Sequence, residues 1–304
     1  MNQVYLDTAR LLAQVAPLVF VDGTFALKGG TAINLFVRNM PRLSVDLDLV
    51  FSDHNLPRDQ ALQCINDTIR QSAERLNKRG FQTHELPAAN SGEIKLLVWR
   101  GTIKVKIEVN SLMRGTVYPV RMASLTTNSR ETLLADIEIP VVSLEDMYGG
   151  KLVAAMDRQH PRDLFDVMQL LAHEGITPGI RRAFVVYLAS HNRPVHEVLF
   201  PSLRDISQEY EYNFKGMTTE PVELKELLAA RERMVCDLQK GLDADERSFL
   251  LSLVANKPKW FLLGIPHLEH LPGIRWKLQN LERLQKDNAK KFVEQSEKLS
   301  RLLV

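Results

Sequence analysis

Cysteine is nearly absent: Cys64 and Cys236 are the only two, far apart in the chain. They make neither a metal pattern nor a disulfide framework, so a reducing cytoplasm is the expected location. No apolar run approaches the roughly 18 residues that suggest a membrane span, and the opening "MNQVYLDTAR" carries an acid and lacks a basic region and a long apolar core. No membrane partner is therefore expected. Charge of one sign is also lacking: the net charge is +2, which neither demands nor excludes a nucleic acid. Internal repeats and low-complexity segments are missing. His191 and His196 are five apart and His267 and His270 three apart, but no cysteine or carboxylate pattern joins them, which argues against zinc. These histidines are expected on the surface or in loops, and Trp99, Trp260 and Trp276 in the core.

What is present is an ordinary globular composition, 45% apolar and 25% charged over 304 residues, enough for two domains or one large one. The periodicity divides it. Residues 3–19 read as an amphipathic helix, Phe25 to Leu27 as a strand, Gly29-Gly30 as a tight turn, and Thr31 to Arg38 as a helix that Thr31 caps. A long helix follows over 56–81, then three strands, "FQTHEL", "EIKLLVW" and "TIKVKIEVN", the last two forming a hairpin around Arg100-Gly101. From Ser143 onward the pattern is helical. The expected class is α+β: a mixed-sheet domain over 1–115, a polar connecting segment over 116–142, and a helical domain over 143–304. Residues 191–220 read as irregular and 276–303 as one helix. A monomer is the default.

The stretch "LSVDLDLVF", residues 43–51, alternates strictly. Leu43, Val45, Leu47 and Leu49 face a core; Ser44, Asp46 and Asp48 share the opposite face, just after Arg42. Two carboxylates side by side repel, which is tolerable if the face is solvated or a cation sits there. Sixteen residues before Asp46 stands Gly30 of "LKGGTA": a strand, a Gly-Gly turn and a helix start, where backbone amides can approach an anion. A phosphate turn beside paired carboxylates is what phosphoryl chemistry with magnesium uses. In "TIKVKIEVN", Lys104, Lys106, Glu108 and Asn110 form the polar face, so Glu108 is either a third carboxylate or a cross-strand partner of a lysine. Lys151 and Arg158 are seven apart on one helix face, and Asp163 and Asp166 three apart on the next. Each set reads either as solvated charges and salt bridges or as triphosphate ligands with an acid that orients Lys151 or deprotonates an attacking hydroxyl.

Taken together, "LKGGTAINLF…RLSVDLDLVF", "KLVAAMDR" and "PRDLFDV" resemble the AbiEii/MenT-type nucleotidyltransferase toxins of type IV toxin–antitoxin systems, within the DNA polymerase β-like superfamily. The resemblance implies a nucleotidyltransferase domain with an appended helical domain that contributes to the site. Asp46 and Asp48 match the metal pair, and Gly29, Gly30 and Thr31 the nucleotide-phosphate turn beside Ser44. Lys151 matches the lysine of the second motif, and Asp163 and Asp166 the acids of the third. The implied cofactor is Mg²⁺ or Mn²⁺, the substrate an NTP, the acceptor RNA, the 3′ end of tRNA in particular, and the partner a cognate antitoxin. Many superfamily members carry Gly-Ser where this chain has Gly-Thr. The last 28 residues hold seven Lys or Arg against four acids, a face suited either to a phosphate backbone or to i,i+4 pairing. A small-molecule or protein nucleotidyltransferase, or a non-catalytic nucleotide or RNA binder, are the rival readings. Acceptor screening and metal-dependent NTP turnover separate them.

Overall fold

The computed structural model describes residues 3–86, 93–110 and 113–303. Two compact units divide the chain, one of 1–143 with 215–221 and one of 144–214 with 222–304.

In the first unit the elements run α1 (Gln3–Val19), β1 (Phe25–Lys28), α2 (Gly29–Thr31) with a π-helical continuation (Ala32–Val37), β2 (Asp46–Phe51), α3 (Arg58–Lys78), β3 (Gln82–Leu86), β4 (Glu93–Arg100), β5 (Ile103–Asn110), β6 (Arg121–Ser124), α4 (Thr127–Leu133) and β7 (Glu138–Val141). The strands form one mixed sheet in the order β3-β4-β5-β2-β1-β7-β6. β2 runs antiparallel to β1 and parallel to β5, while β1 runs parallel to β7. Alternation decides the layers. Leu47, Leu49, Leu96, Val98, Val105, Ile107 and Val109 are all buried, on the side where α1 and α3 pack. Arg75 of α3 donates to the Leu18 carbonyl at 2.9 Å and ties those two helices.

Two expectations need correction here. The helix starts at Gly29, not Thr31, so Thr31 caps nothing. Asn34 Nδ2 occupies the Gly30 carbonyl at 2.9 Å, the acceptor that amide 34 would use in an α-helix. The following turn is wound i→i+5, with Arg38 N on the Ile33 carbonyl at 2.7 Å. And 116–142 is no linker: β6, α4 and β7 lie in it, and β7 extends the sheet beside β1.

The second unit contains α5 (Leu144–Arg158), α6 (Pro161–Ala172), α7 (Pro178–Ala189), α8 (Val195–Leu199), α9 (Ser207–Asn213), α10 (Leu224–Gly241), α11 (Ala244–Val254), α12 (Pro272–Asp287) and α13 (Ala289–Leu303). α5 and α7 pack closely because Gly149 has no side chain; a Cβ there would stand 2.7 Å from that of Ala183. Buried Asp146 accepts the Tyr187 hydroxyl at 2.8 Å across the same pair. The single terminal helix expected over 276–303 is broken at Asn288, whose φ of −151° is not helical. Lys277 turns inward and donates to the carbonyls of His191 and Arg193. Three of the remaining bases pair with acids four residues away, Lys286–Glu282, Lys290–Glu294 and Arg301–Glu297, so pairing accounts for much of that charge. His196 is buried, not superficial, and all three tryptophans are half-buried, not core. Among the described residues no helix is long and apolar enough to cross a membrane.

Candidate active site

Parity on β2 brings Asp46 and Asp48 to the face opposite the buried Leu47 and Leu49. Asp48 lies in register with Lys28, the last residue of β1, so its carboxylate reaches the turn that follows. Gly29 has φ +75°, and a Cβ there would collide with Asp48 Oδ2. Only glycine satisfies both demands. A Cβ on Gly30 would stand 2.8 Å from Arg42 Nη2 and 2.9 Å from Ser44 Oγ. Thr31 is buried, and its hydroxyl meets the Asp46 carbonyl at 2.6 Å and Ser44 Oγ at 3.1 Å. It fastens the Gly turn to the acid strand, so what Thr31 can offer a phosphate directly is its backbone amide.

Glu108 stands beside Asp48 in the parallel register of β5 on β2. Its carboxylate is engaged by two lysines, Lys95 at 2.7 Å and Lys106 at 3.2 Å. Burial pushes the Glu108 carboxyl up, but the hydrogen bonds and charges of Lys95 and Lys106 outweigh it and hold it below the ordinary value. Lys106 also lies 4.0 Å from Asp46. Among the described residues no three acid, His or Cys side chains are arranged to hold a metal ion. The pair Asp46 and Asp48 nevertheless fits Mg²⁺ or Mn²⁺ chemically: two hard carboxylates on one partly open face, beside a turn stripped of side chains.

The second unit holds its own cluster. Lys151 Nζ sits 2.8 Å from Asp163 and 3.0 Å from Asp166, all three buried. Arg158 closes on Asp163 with Nε at 2.5 Å and Nη2 at 3.0 Å, while most of its side chain remains exposed, 62%. Pro161 opens α6 and His160 Nδ1 accepts the Arg162 amide, which fixes where Asp163 enters. Burial would raise the Asp163 carboxyl, yet Lys151 and Arg158 carry it well below the carboxylate range. A carboxylate so stabilised is a poor base and a good orienter.

Arg42 and the segment 215–221 are what sequence reasoning missed. Arg42 is buried against Gly30, and its place in the alternation with Ser44 and Asp46 was the available signal. Its backbone pairs with Thr218, and Thr219 donates twice to the Pro41 carbonyl, from N at 2.9 Å and Oγ1 at 3.0 Å. Nothing in the pattern of "KGMTTEP" announces that role.

No curated protein matches the chain. Among solved structures, MenT4, a nucleotidyltransferase toxin (Rv2826c) from Mycobacterium tuberculosis H37Rv, is similar at 18% identity. Its TM-score is 0.60, and the match covers 91% of this chain and 94% of that one. At that identity the likeness speaks for the fold, a mixed sheet with helices. A family model described as nucleotidyl transferase AbiEii toxin, type IV TA system, matches residues 10–280. With so much of its length matched, the chain belongs to the AbiEii family of nucleotidyltransferase toxins of type IV toxin–antitoxin systems.

Proposed function

We propose that this nucleotidyltransferase moves an NMP from an NTP to the 3′ end of an RNA, tRNA in particular, and so blocks translation in the cytoplasm. Family membership implies the NTP substrate and an antitoxin partner. The observation that carries the chemistry is the acid pair Asp46 and Asp48 against the Gly29-Gly30 turn. In the transfer, an acceptor hydroxyl oxygen attacks the α-phosphorus, the bond to the β-phosphate oxygen breaks, and pyrophosphate leaves. Asp46 and Asp48 would hold Mg²⁺ or Mn²⁺, which supplies Lewis-acid stabilisation of the phosphoryl oxygens and lowers the acceptor hydroxyl's pKa. Amides of Gly29, Gly30 and Thr31 receive phosphate oxygens, with Ser44 and the Arg42 guanidinium behind the turn. Glu108 is the proposed third carboxylate, and to hold a cation it would have to give up one of its two lysines. To Lys151 and Arg158 the family resemblance assigns the charge of the leaving pyrophosphate. Asp163 and Asp166 position Lys151, and Asp163, held so far below the carboxylate range, is a poor base.

The protein is incubated with Mg²⁺, each α-³²P-labelled NTP and total bacterial RNA, beside an Asp46→Ala control. Label in a tRNA-sized band, absent from the control, is the expected result. Label in a protein or a small molecule instead would move the acceptor and keep the chemistry. No label with NTP still bound would make this a binder.

A further inference from the structure

We infer that the open face of β3, β4 and β5 is a platform for a single-stranded RNA end, with Trp99 as its stacking surface and Lys104 and Lys106 as its phosphate contacts. This rests on the RNA-acceptor reading above and adds the place where the acceptor lies.

Strand parity carries the assignment. Lys106 is in register with Asp46 on β2 and with Leu97 on β4. Lys104 is in register with Trp99, and Glu108 with Lys95. Residues paired in register share a face. Trp99, Leu97, Lys95, Lys104 and Lys106 therefore stand on the same side of the sheet as Asp46 and Asp48. The other side is the buried one of Leu96, Val98, Val105 and Ile107. Trp99 and Leu97 are half-buried, Lys104 is exposed, and Gln82 and His84 extend the face onto β3 with exposed side chains. Two strand spacings and one residue pair separate Trp99 from Asp46, roughly 12 Å.

Sheet order supplies the direction. β1 and its Gly turn lie on one side of β2, and β5 then β4 on the other. The acid pair thus stands between the phosphate turn and the Trp99 platform. Displacement at phosphorus brings the incoming hydroxyl from the side opposite the leaving group, so an acceptor lying over β5 and β4 approaches correctly. Lys95, Lys104 and Lys106 around Glu108 make that part of the face attractive to phosphates, and an indole flanked by lysines is the combination single strands use.

The test is binding of a short fluorescein-labelled single-stranded RNA with a free 3′ hydroxyl to the full chain without NTP, followed by anisotropy. Trp99→Ala should weaken binding about tenfold, and Trp99→Phe should restore most of it. Lys104→Gln should flatten the dependence of log Kd on log salt by roughly 0.7 between about 50 and 200 mM. In the labelling assay Trp99→Ala should raise the KM for RNA and leave that for NTP unchanged. Wild-type protein that labels RNA while all three variants bind it equally well overturns the platform and leaves the function standing. Wild-type protein that neither binds nor labels RNA overturns both.

Discussion

Glu108 and Asp48 stand side by side on parallel strands, but the Glu108 carboxylate is gripped by Lys95 and Lys106. That arrangement allows a lysine clamp, a third carboxylate, or one becoming the other when a cation arrives. Glu108→Gln separates them. The pairs are partly exposed, so losing them should cost less than about 1 kcal/mol of stability. The transfer rate at saturating Mg²⁺ and NTP should fall at least about tenfold. A full rate would leave Glu108 with the clamp alone.

Leu47 sits between the two aspartates in sequence and on the opposite face in space, fully buried. Leu47→Asp would place an unpaired carboxylate under α1 and α3, at a cost of at least about 3 kcal/mol. Urea unfolding should show a large drop or no cooperative transition. An unchanged midpoint would mean that the register of β2 is wrong.

Lys151 neutralises two buried acids at once. Lys151→Ala should therefore lose two things together: NTP affinity, read by calorimetric titration, and about 3–5 kcal/mol of stability from the stranded carboxylates. A variant with wild-type NTP affinity and rate would remove Lys151 from the site and leave it a purely architectural ion pair.

Asp163 ties the fold to pH. Its folded carboxyl is held below the ordinary range by Lys151 and Arg158, so in acid the unfolded chain takes up a proton before the folded one does. Stability then rises with pH across that window and is lost as pH falls through it. Between about pH 5 and pH 3 the urea midpoint of the wild type should drop more than that of Asp163→Asn. Equal slopes would show that Lys151 and Arg158 do not hold the charge.

Legibility followed period. The Asp46/Asp48 face could be read because a period of two leaves no choice of side, and Glu108 could be placed by the same rule on a second strand. Lys151 could be paired with Arg158 and Asp163 with Asp166 because seven and three residues are helix-face spacings. The edge of the sheet could not: β6 is the four residues "RMAS", mostly exposed, with no alternation to detect. β7 finds its neighbour β1 more than a hundred residues away in the chain. Thr31 resembled a cap because threonine before an apolar run often is one; the Gly29 conformation and the Asp46 carbonyl gave it another use. The buried state of Arg42 depends on a segment nearly two hundred residues downstream, which no local pattern reports.

That segment has a practical corollary. The first unit is discontinuous: residues 215–221 complete it after the chain has already built five helices of the second. A gene cut after codon 143 would encode a piece in which the Pro41 carbonyl lacks both Thr219 donors and Arg42 lacks its bridge to Thr218. For a toxin this is a handle on safe cloning. A cut after residue 221 keeps the first unit whole but divides the second, and a library of halves joined by inducible dimerisers would locate the point at which toxicity is regained.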